Sequence, residues 1–298
     1  MSHNYIFVLS MPRSGSTLLR VMLNNIEGCV SLPETFFFNF INEQNALDFS
    51  KEANRIITIK NWLNYFTVKT IVSDINALED DLVKLVTEPK DILVVTTERF
   101  LKENNISNVN YIIEKSTSHI FFQDNIKKMF PNSKAIYLVR DPRAVAASML
   151  NMPWATHNVY TIARSWSKSI DLFDRMKNNI ILKYEDIVNQ KDSVHESLSA
   201  FFQTAIKKQD LFLNRGTNLV GVVEEYHKNL NKDINTKHIN EWKHKLSVND
   251  KEQQIIEKVC ERNMQKYGYE LTVGKKDGLF YLIYFTDVLK FIFIKLLK

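Results

Sequence analysis

Short apolar runs rich in β-branched residues recur along the chain and predict the strands of a sheet. Four of them span residues 6–9, 111–113, 135–139 and 180–182, and a further short strand-like run spans 29–32. Helical periodicity follows each of the four, at 17–25, 120–130, 143–150 and 194–202. This alternation predicts an α/β fold in which a parallel sheet carries helices on both faces and binds ligands beyond the carboxyl ends of its strands.

Helical periodicity also fills residues 36–105, which we expect to form an insertion over one edge of the sheet. After a polar break at 274–278, a hydrophobic segment at 279–298 predicts a C-terminal helix beyond a main domain at 1–275. Its polar residues Thr286, Asp287, Lys290 and Lys298 gather on one side. Asp287 and Lys290 lie near the middle of the segment, where a charged side chain makes insertion across a membrane cost free energy. We therefore expect the helix to lie at a membrane surface, or to pack on its own domain or on a second subunit.

Composition narrows the class of protein. The 298 residues are 45% hydrophobic and 24% charged, which suits one large globular core. Cys29 and Cys260 belong to no Cys/His cluster, so we expect no disulfide framework, no metal and a reducing, cytoplasmic setting. The N-terminus leads directly into the first strand, without the pattern of a cleaved signal peptide. Scattered lysines and a net charge of +5 argue against nucleic-acid binding and suit a small polyanionic ligand.

The segment Ser10-Met-Pro-Arg-Ser-Gly-Ser-Thr-Leu-Leu19 joins the first strand directly to the first helix. It contains four consecutive small residues: Ser14, Gly15, Ser16 and Thr17. Backbone N–H groups there can converge on an anion at the helix N-terminus, and Arg13 adds a side-chain cation. Because the segment lacks the Gly-Lys-Ser/Thr ending of a Walker A loop, it does not predict magnesium-dependent ATP chemistry. The alternative is an ordinary turn in which Ser14 or Ser16 caps the helix.

A second strand-to-helix junction contains Arg140-Asp-Pro-Arg-Ala-Val-Ala-Ala-Ser148. Asp141 is a favourable N-cap and Pro142 suits the first helical position, which leaves Arg140 at the strand end, pointing into the ligand crevice. Ser148 lies about two turns into the helix. It either bonds back to the carbonyl four residues before it or joins Arg140 in an anion site.

These two junctions resemble those of sulfotransferases that use 3′-phosphoadenosine 5′-phosphosulfate (PAPS), particularly the branch that includes Golgi, tyrosylprotein and many bacterial members. The resemblance implies transfer of a sulfuryl group from PAPS to a hydroxyl or amine, without metal, leaving 3′-phosphoadenosine 5′-phosphate (PAP). It implies that residues 13–17 hold the 5′-phosphosulfate and that Arg140 and Ser148 hold the 3′-phosphate. Tyr184, in Lys183-Tyr-Glu-Asp-Ile187, resembles the tyrosine that contacts adenine.

The chain departs from the cytosolic animal sulfotransferases because it lacks their Arg-Lys-Gly loop. Which basic residue completes the 3′-phosphate site therefore stays open among Arg215, Lys232 and Lys237. The acceptor is open as well. A carbohydrate or glycolipid hydroxyl is the first expectation and a peptidyl tyrosine the second. Two other functions compete: a non-catalytic nucleotide-binding module, and a phosphotransferase that uses ATP and magnesium.

Sulfuryl transfer needs a base for the attacking hydroxyl and cations for the charge that develops. Glu34 resembles the catalytic glutamate of the tyrosylprotein branch and is assigned as general base; the alternative is a solvated carboxylate or a structural partner of Arg13. Lys115, at a strand end, resembles a family lysine and is assigned, with Arg13, to charge stabilisation. Glu114 is a competing base. His119 is interpreted as a capping or packing residue.

Two neighbouring segments receive weaker predictions. The hydroxyls of Ser116-Thr-Ser118 are expected to cap the helix that starts at residue 120. Residues 36–38 are three phenylalanines that follow Glu34 closely. They can line an acceptor pocket, although core packing is the expected role.

Overall fold

Five parallel strands form the sheet at the centre of the protein. The structure is a computed structural model and describes residues 3–44, 47–173, 175–176, 178–213, 237–246, 250–272 and 278–296. Its strands are β1 (Asn4–Ser10), β2 (Cys29–Ser31), β3 (Tyr111–Glu114), β4 (Lys134–Val139) and β5 (Asn179–Lys183). Their order across the sheet is β2-β3-β1-β4-β5. The chain leaves β1 toward one side and later crosses to the other, and open α/β sheets bind ligands at such a switch point.

Helices fill the connections between the strands and continue beyond β5. In the described residues they are α1 (Ser16–Asn24), α2 (Phe37–Glu43), α3 (Glu52–Leu63), α4 (Val68–Ile71), α5 (Ile75–Leu85), α6 (Pro89–Glu103), α7 (Gln123–Met129), α8 (Pro142–Met149), α9 (Val159–Asp171), α10 (Tyr184–Asn189), α11 (Lys191–Phe202), α12 (Lys208–Leu211), α13 (Lys237–Leu246), α14 (Asp250–Lys266) and α15 (Gly278–Leu296). The predicted parallel α/β fold is confirmed.

Successive residues of β1 point to opposite faces of the sheet, as a strand requires. Tyr5 and Phe7 belong to one hydrophobic cluster, with residues of α6, α8 and α9. Ile6 and Val8 belong to a second cluster, with residues of α1, α10 and α11. Both faces of the central strand are therefore covered by helices, as the continuous apolar run predicts.

The insertion, α2 to α6, extends further than predicted. We expected it to lie over one edge, but Tyr5 of the central strand donates from its hydroxyl to Thr97 Oγ1 of α6 at 2.9 Å. Trp62 of α3 is fully buried, and its Nε1 donates to Thr96 Oγ1 at 2.9 Å. Both faces of β1 need an apolar cover, and α1 covers only one of them. The insertion reaches the central strand because it covers the opposite face.

The helix predicted at 120–130 is divided in two. A 3₁₀ helix, Thr117–Phe121, precedes α7. Its turns are closed by bonds from His119 N–H to the Ser116 carbonyl and from Phe122 N–H to the His119 carbonyl, both at 2.9 Å. The tighter turn places the side chain of His119 beneath the end of β3, where it is fully buried.

Arg143 ties the junction after β4 to the C-terminal helices. Its guanidinium donates to both carboxylate oxygens of Asp141, and its Nη1 donates to Glu257 of α14 at 2.9 Å. The guanidinium carbon also lies 4.2 Å from the ring centroid of Trp242 in α13. The two carboxylates and the arginine are buried together, so each charge is compensated.

One face of α15 packs on the rest of the protein and the other is exposed. Tyr284 and Phe291 contact Tyr160 of α9, with ring centroids 5.7 Å apart in both pairs. Asp287 lies on this packed side, where its backbone carbonyl accepts from Asn158 Nδ2 at 3.5 Å. The exposed side carries Tyr281, Leu282, Phe285, Leu289 and Ile292. The prediction that the C-terminal helix packs on its own domain is therefore confirmed for one face of α15, and the other face is exposed. Within the described residues, every helix is too short or too polar to cross a membrane.

Candidate active site

The segment between β1 and α1 turns sharply at Gly15, the N-cap of α1. Gly15 has φ +94°, a left-handed conformation that favours glycine. The first intrahelical bond runs from Leu19 N–H to the Gly15 carbonyl at 3.2 Å. The amides of residues 16–18 precede it and, as at any helix start, have no intrahelical acceptor. Because Gly15 occupies the cap position, the alternative in which Ser14 or Ser16 caps the helix is wrong.

Gly15 also allows an aromatic ring to approach the loop. A Cβ atom at position 15 would lie 2.3 Å from Cδ2 of Tyr184, so no larger residue fits without movement. Tyr184 is buried and begins α10 directly after β5. The guanidinium carbon of Arg140 lies 4.3 Å from its ring centroid. Tyr184 thus joins the segments that follow β1, β4 and β5.

Arg13 and Arg140 meet across the two junctions. Arg140 Nη1 donates to the backbone carbonyl of Arg13 at 2.9 Å. Arg13 Nε donates to Ser148 Oγ at 3.1 Å. The structure thus brings the hydroxyl of Ser148 to Arg13, and the predicted grouping of Ser148 with Arg140 stays a prediction.

The electrostatics of this corner suit an anion. Burial and the neighbouring positive charge of Arg140 lower the pKa of Arg13. Ser14 Oγ is buried and has no hydrogen-bond partner among the residues that the structure describes. An anion with several oxygens would satisfy the hydroxyl and the helix amides and would relieve the repulsion between the two arginines.

Glu34 and Lys115 form an ion pair at the ends of β2 and β3. Lys115 Nζ donates to Glu34 Oε1. The side chain of Lys115 is 6% exposed, whereas that of Glu34 is 34% exposed. Glu34 therefore pairs with Lys115, and the alternative in which it is a structural partner of Arg13 is wrong. The pair brings a solvent-accessible carboxylate and a buried cation together.

Glu114, the last residue of β3, precedes Lys115 and is fully buried. Its carboxylate accepts hydrogen bonds from Thr35 Oγ1 at 2.8 Å, Ser116 Oγ at 2.5 Å, Ser116 N at 3.2 Å and His119 Nδ1 at 2.7 Å. Ser116 Oγ also accepts from the backbone N–H groups of Thr35 and Phe36, at 3.0 and 2.9 Å. We call these four residues, Thr35, Glu114, Ser116 and His119, the buried cluster. The cluster fixes the segment that carries Glu34 to the end of β3.

His119 completes the buried cluster from the other side. Phe38 N–H donates to its Nε2 at 3.2 Å, so Nδ1 carries the proton that it shares with Glu114. Burial alone would raise the pKa of Glu114, but interactions with His119 and hydrogen bonds from Ser116 and Thr35 lower it to about 2. A buried carboxylate with so low a pKa is poorly suited to the competing role of general base.

Residues 5–208 match the model of the sulfotransferase family. The chain belongs to the sulfotransferase family. Its fold is similar to the sulfotransferase domain of the Synechococcus PCC 7002 olefin synthase, with a TM-score of 0.63 and 22% identity over 91% of this chain and 97% of that one. It is also similar to the sulfotransferase domain from the curacin biosynthetic pathway, with a TM-score of 0.58 and 22% identity over 91% and 99%. No curated protein sequence matches the chain significantly.

The structure corrects the prediction for the hydroxyls of residues 116–118 and refines the one for the three phenylalanines. The Ser116-Thr-Ser118 hydroxyls were expected to cap a helix, but Ser116 Oγ binds Glu114 and Ser118 Oγ donates to Asn39 Oδ1 at 2.6 Å. The three phenylalanines divide: Phe37 and Phe38 are buried in the core, as expected, while Phe36 is partly exposed.

Several residues that shape the site were not predicted. Glu185 accepts from the backbone N–H of Asp141 at 3.1 Å and from Tyr269 Oη at 3.0 Å, which joins the ends of β4 and β5. Burial raises the pKa of Glu185. Arg20 is buried within α1, and burial lowers its pKa to about 10 although the charges of Glu34 and Glu114 oppose the shift. An arginine within an apolar helix was the available signal for Arg20.

The residue that completes the 3′-phosphate site stays a prediction. Arg215 and Lys232 lie outside the described residues. Lys237 opens α13, and its side chain lies outside the described part as well.

The low pKa of Glu114 predicts a contribution to acid stability. Because the pKa is lower in the folded protein, the ionised carboxylate stabilises the fold above pH 4.5, and this stabilisation is lost as the pH falls toward 2. Glu114→Gln should remove that dependence, so its deficit in unfolding free energy should shrink from pH 6 to pH 2.5. Urea unfolding at several pH values measures this, with the exposed Glu196→Gln as control. A deficit that stays constant across this range would contradict the assignment.

Proposed function

We propose that this sulfotransferase transfers a sulfuryl group from PAPS to a hydroxyl or amine acceptor, with Glu34 as general base. The observation that carries the proposal is the convergence of Arg13 and Arg140, from two separate junctions, next to Ser14. The hydroxyl of Ser14 is buried and has no hydrogen-bond partner within the described part of the chain. Two guanidinium groups at one site repel each other, and an anionic ligand offsets that repulsion. The donor supplies the activated sulfuryl group.

The residues present fit such a donor. Arg13, the hydroxyl of Ser14, and the amides at Gly15, Ser16 and Thr17 would hold the 5′-phosphosulfate. Arg140 and Ser148 would hold the 3′-phosphate, and the bond from Arg13 to Ser148 keeps the two anion sites next to each other. Tyr184 supports Arg140 and Gly15 from beneath. Its proposed contact with adenine would use the small part of this buried residue that stays exposed.

Glu34 and Lys115 divide the chemical work between them. Glu34 takes the proton from the acceptor hydroxyl as that oxygen bonds to sulfur and the bond from sulfur to the phosphate oxygen breaks. The products are a sulfate ester and PAP. Lys115 and Arg13 stabilise the negative charge on the sulfuryl oxygens and on the departing phosphate.

The ion pair between Glu34 and Lys115 has a mechanistic consequence. While Lys115 donates to Glu34 Oε1, that oxygen is occupied and is not available to the acceptor hydroxyl. Binding of an anion near Lys115 would draw the ammonium group toward it and release Glu34 when donor and acceptor are both present. The pair also favours an enzyme over a non-catalytic binding module, which needs neither a partly exposed base nor a buried cation beside it. The missing Walker lysine argues against the phosphotransferase.

The exposed face of α15 supports a second contact. Tyr281, Leu282, Phe285, Leu289 and Ile292 form a continuous apolar stripe. The sequence places lysines at 290, 295 and 298 in and after this helix. An apolar stripe on a segment whose sequence also contains lysines suits the interface of an anionic membrane, where it would bring the enzyme to a lipid-linked acceptor. A second copy of the chain would cover the same stripe as the alternative.

The first test is donor binding. Arg140→Ala should weaken PAP binding by about 1.5 to 3 kcal/mol, since it removes a hydrogen bond to a charged group. Calorimetry with and without EDTA measures this, and chelation should leave the affinity unchanged. Arg175→Ala, at an exposed surface ion pair, is the control. Loss of PAP binding with EDTA, or equal affinity for adenosine, would refute the proposal.

The second test is catalysis by Glu34. Glu34→Gln keeps the shape but cannot accept the proton, so transfer should fall by roughly 10² to 10⁴ while PAP affinity stays near wild type. Sulfur-labelled PAPS with sugars, lipids, tyrosine peptides and apolar alcohols gives the rates. Glu43→Gln, an exposed glutamate on α2, is the control. Transfer at the wild-type rate would assign the proton to another group.

The third test concerns α15. Leu282→Ser and Leu289→Ser alter only the exposed stripe and should abolish co-sedimentation with anionic liposomes without unfolding the protein, because both side chains are mostly in solvent. Sedimentation equilibrium of the same variants reports on dimers. A wild-type protein that never binds liposomes would exclude the membrane contact, and a dimer dissociated by the variants would assign the stripe to a second copy.

A further inference from the structure

Three consecutive phenylalanines follow Thr35, and the fold treats one of them differently. Phe37 and Phe38 are fully buried. Phe36 is partly exposed and has φ +50°, a left-handed conformation that is rare for a bulky residue. Ser116 Oγ holds it there by accepting the Phe36 N–H at 2.9 Å. The fold therefore turns this ring out of the core against its backbone preference, and residues with such strain cluster at functional sites.

Phe66 meets Phe36 at the surface. The two ring centroids are 5.5 Å apart, and Phe66 is 69% exposed. Thr67 Oγ1 donates to the Thr35 carbonyl at 2.8 Å, which ties the segment of Phe66 to that of Phe36. We call Phe36 and Phe66 the aromatic pair. It is fixed to the same loop as Glu34, which lies two residues before Phe36.

A single exposed phenylalanine would need no explanation, because isolated apolar residues are common on protein surfaces. The aromatic pair differs in two ways. Its rings come from two segments that a buried hydrogen bond holds together. One of them is also held in a strained conformation by the buried cluster that positions Glu34.

Four hydroxyl groups near the aromatic pair are already used inside the protein. The hydroxyls of Thr35 and Ser116 bind Glu114, and that of Thr67 binds the Thr35 carbonyl. The hydroxyl of Ser118 binds Asn39. A sugar is recognised through several hydrogen bonds as well as a ring face, and these hydroxyls do not offer them. An apolar body loses water on the two rings and needs no such bonds.

We infer that the aromatic pair is the acceptor-side binding surface and takes an alcohol or phenol whose hydroxyl is attached to an apolar body. The inference rests on the proposed function, in which Glu34 faces the acceptor hydroxyl. Among the acceptors expected from the sequence, it selects lipid-linked or tyrosyl hydroxyls over free carbohydrate. Phe36 and Phe66 are then the residues that determine acceptor specificity.

Calorimetry on the PAP-loaded protein tests this with three probes: 2-naphthol, 1-octanol and N-acetylglucosamine. We expect the first two to bind and the sugar to give no signal. Phe66→Ala should weaken 2-naphthol binding by about 5- to 10-fold through loss of one aromatic contact. Phe36→Asn should do the same, and asparagine tolerates the left-handed backbone, so the loop is retained. Leu85→Ala, at an exposed apolar residue on α5, is the control and should bind like wild type.

Separate PAP titrations keep this inference distinct from the proposed function. Phe36→Asn and Phe66→Ala should both bind PAP with an affinity within about twofold of wild type, because the aromatic pair adds no charge to the anion site. If wild type does not bind PAP, the proposed function fails, and 2-naphthol titrated into nucleotide-free protein still judges the aromatic surface. Binding of N-acetylglucosamine but not of the apolar probes would overturn the inference. Unchanged 2-naphthol affinity in both variants would overturn it as well.

Discussion

A fully buried carboxylate, that of Glu114, fixes the geometry on which the candidate site depends. A buried charge is costly unless it is hydrogen-bonded, and this one accepts bonds from Thr35, Ser116 and His119. The donors belong to two segments, one after β2 and one after β3, so the charge is satisfied only when both are in place. Glu34 and Lys115 stand immediately next to these donors in the chain. The hydrogen bonds of the buried cluster therefore fix the position of their ion pair.

The order of the strands arranges the rest of the site. Read across the sheet, the residues just beyond β2, β3, β1, β4 and β5 are Glu34, Lys115, Arg13, Arg140 and Tyr184. Neighbouring strands lie about 4.8 Å apart, so this order sets a carboxylate at one end, three cations in the middle and an aromatic ring at the other. Lys115 is paired with Glu34, whereas Arg13 and Arg140 carry like charges that repel each other. Sites that bind polyanions accept this repulsion because the ligand offsets it.

The sequence predicted what depends on local pattern. Strand runs, the cap at Asp141 and the two junctions with their arginines appear as expected, because a strand followed by small residues and a helix has few alternative structures. It did not reveal contacts between distant segments. Ser116 looked like a helix cap because it stands before a helix, but its hydroxyl meets Thr35 from 81 residues away. Arg143 likewise stabilises the junction through Glu257, 114 residues further on, which no local pattern indicates.

Phe36 illustrates how one cluster couples two properties of the site. Thr35 lies between Glu34 and Phe36, and its hydroxyl, amide and carbonyl are all bonded to buried groups. With this residue held at three points, the carboxylate on one side and the ring on the other have little freedom to move independently. The placement of the base and the shape of the surface beside it are therefore a single feature of the fold. A change that loosens Ser116 or Thr67 should disturb both together, whereas removal of a ring alone leaves the base in place.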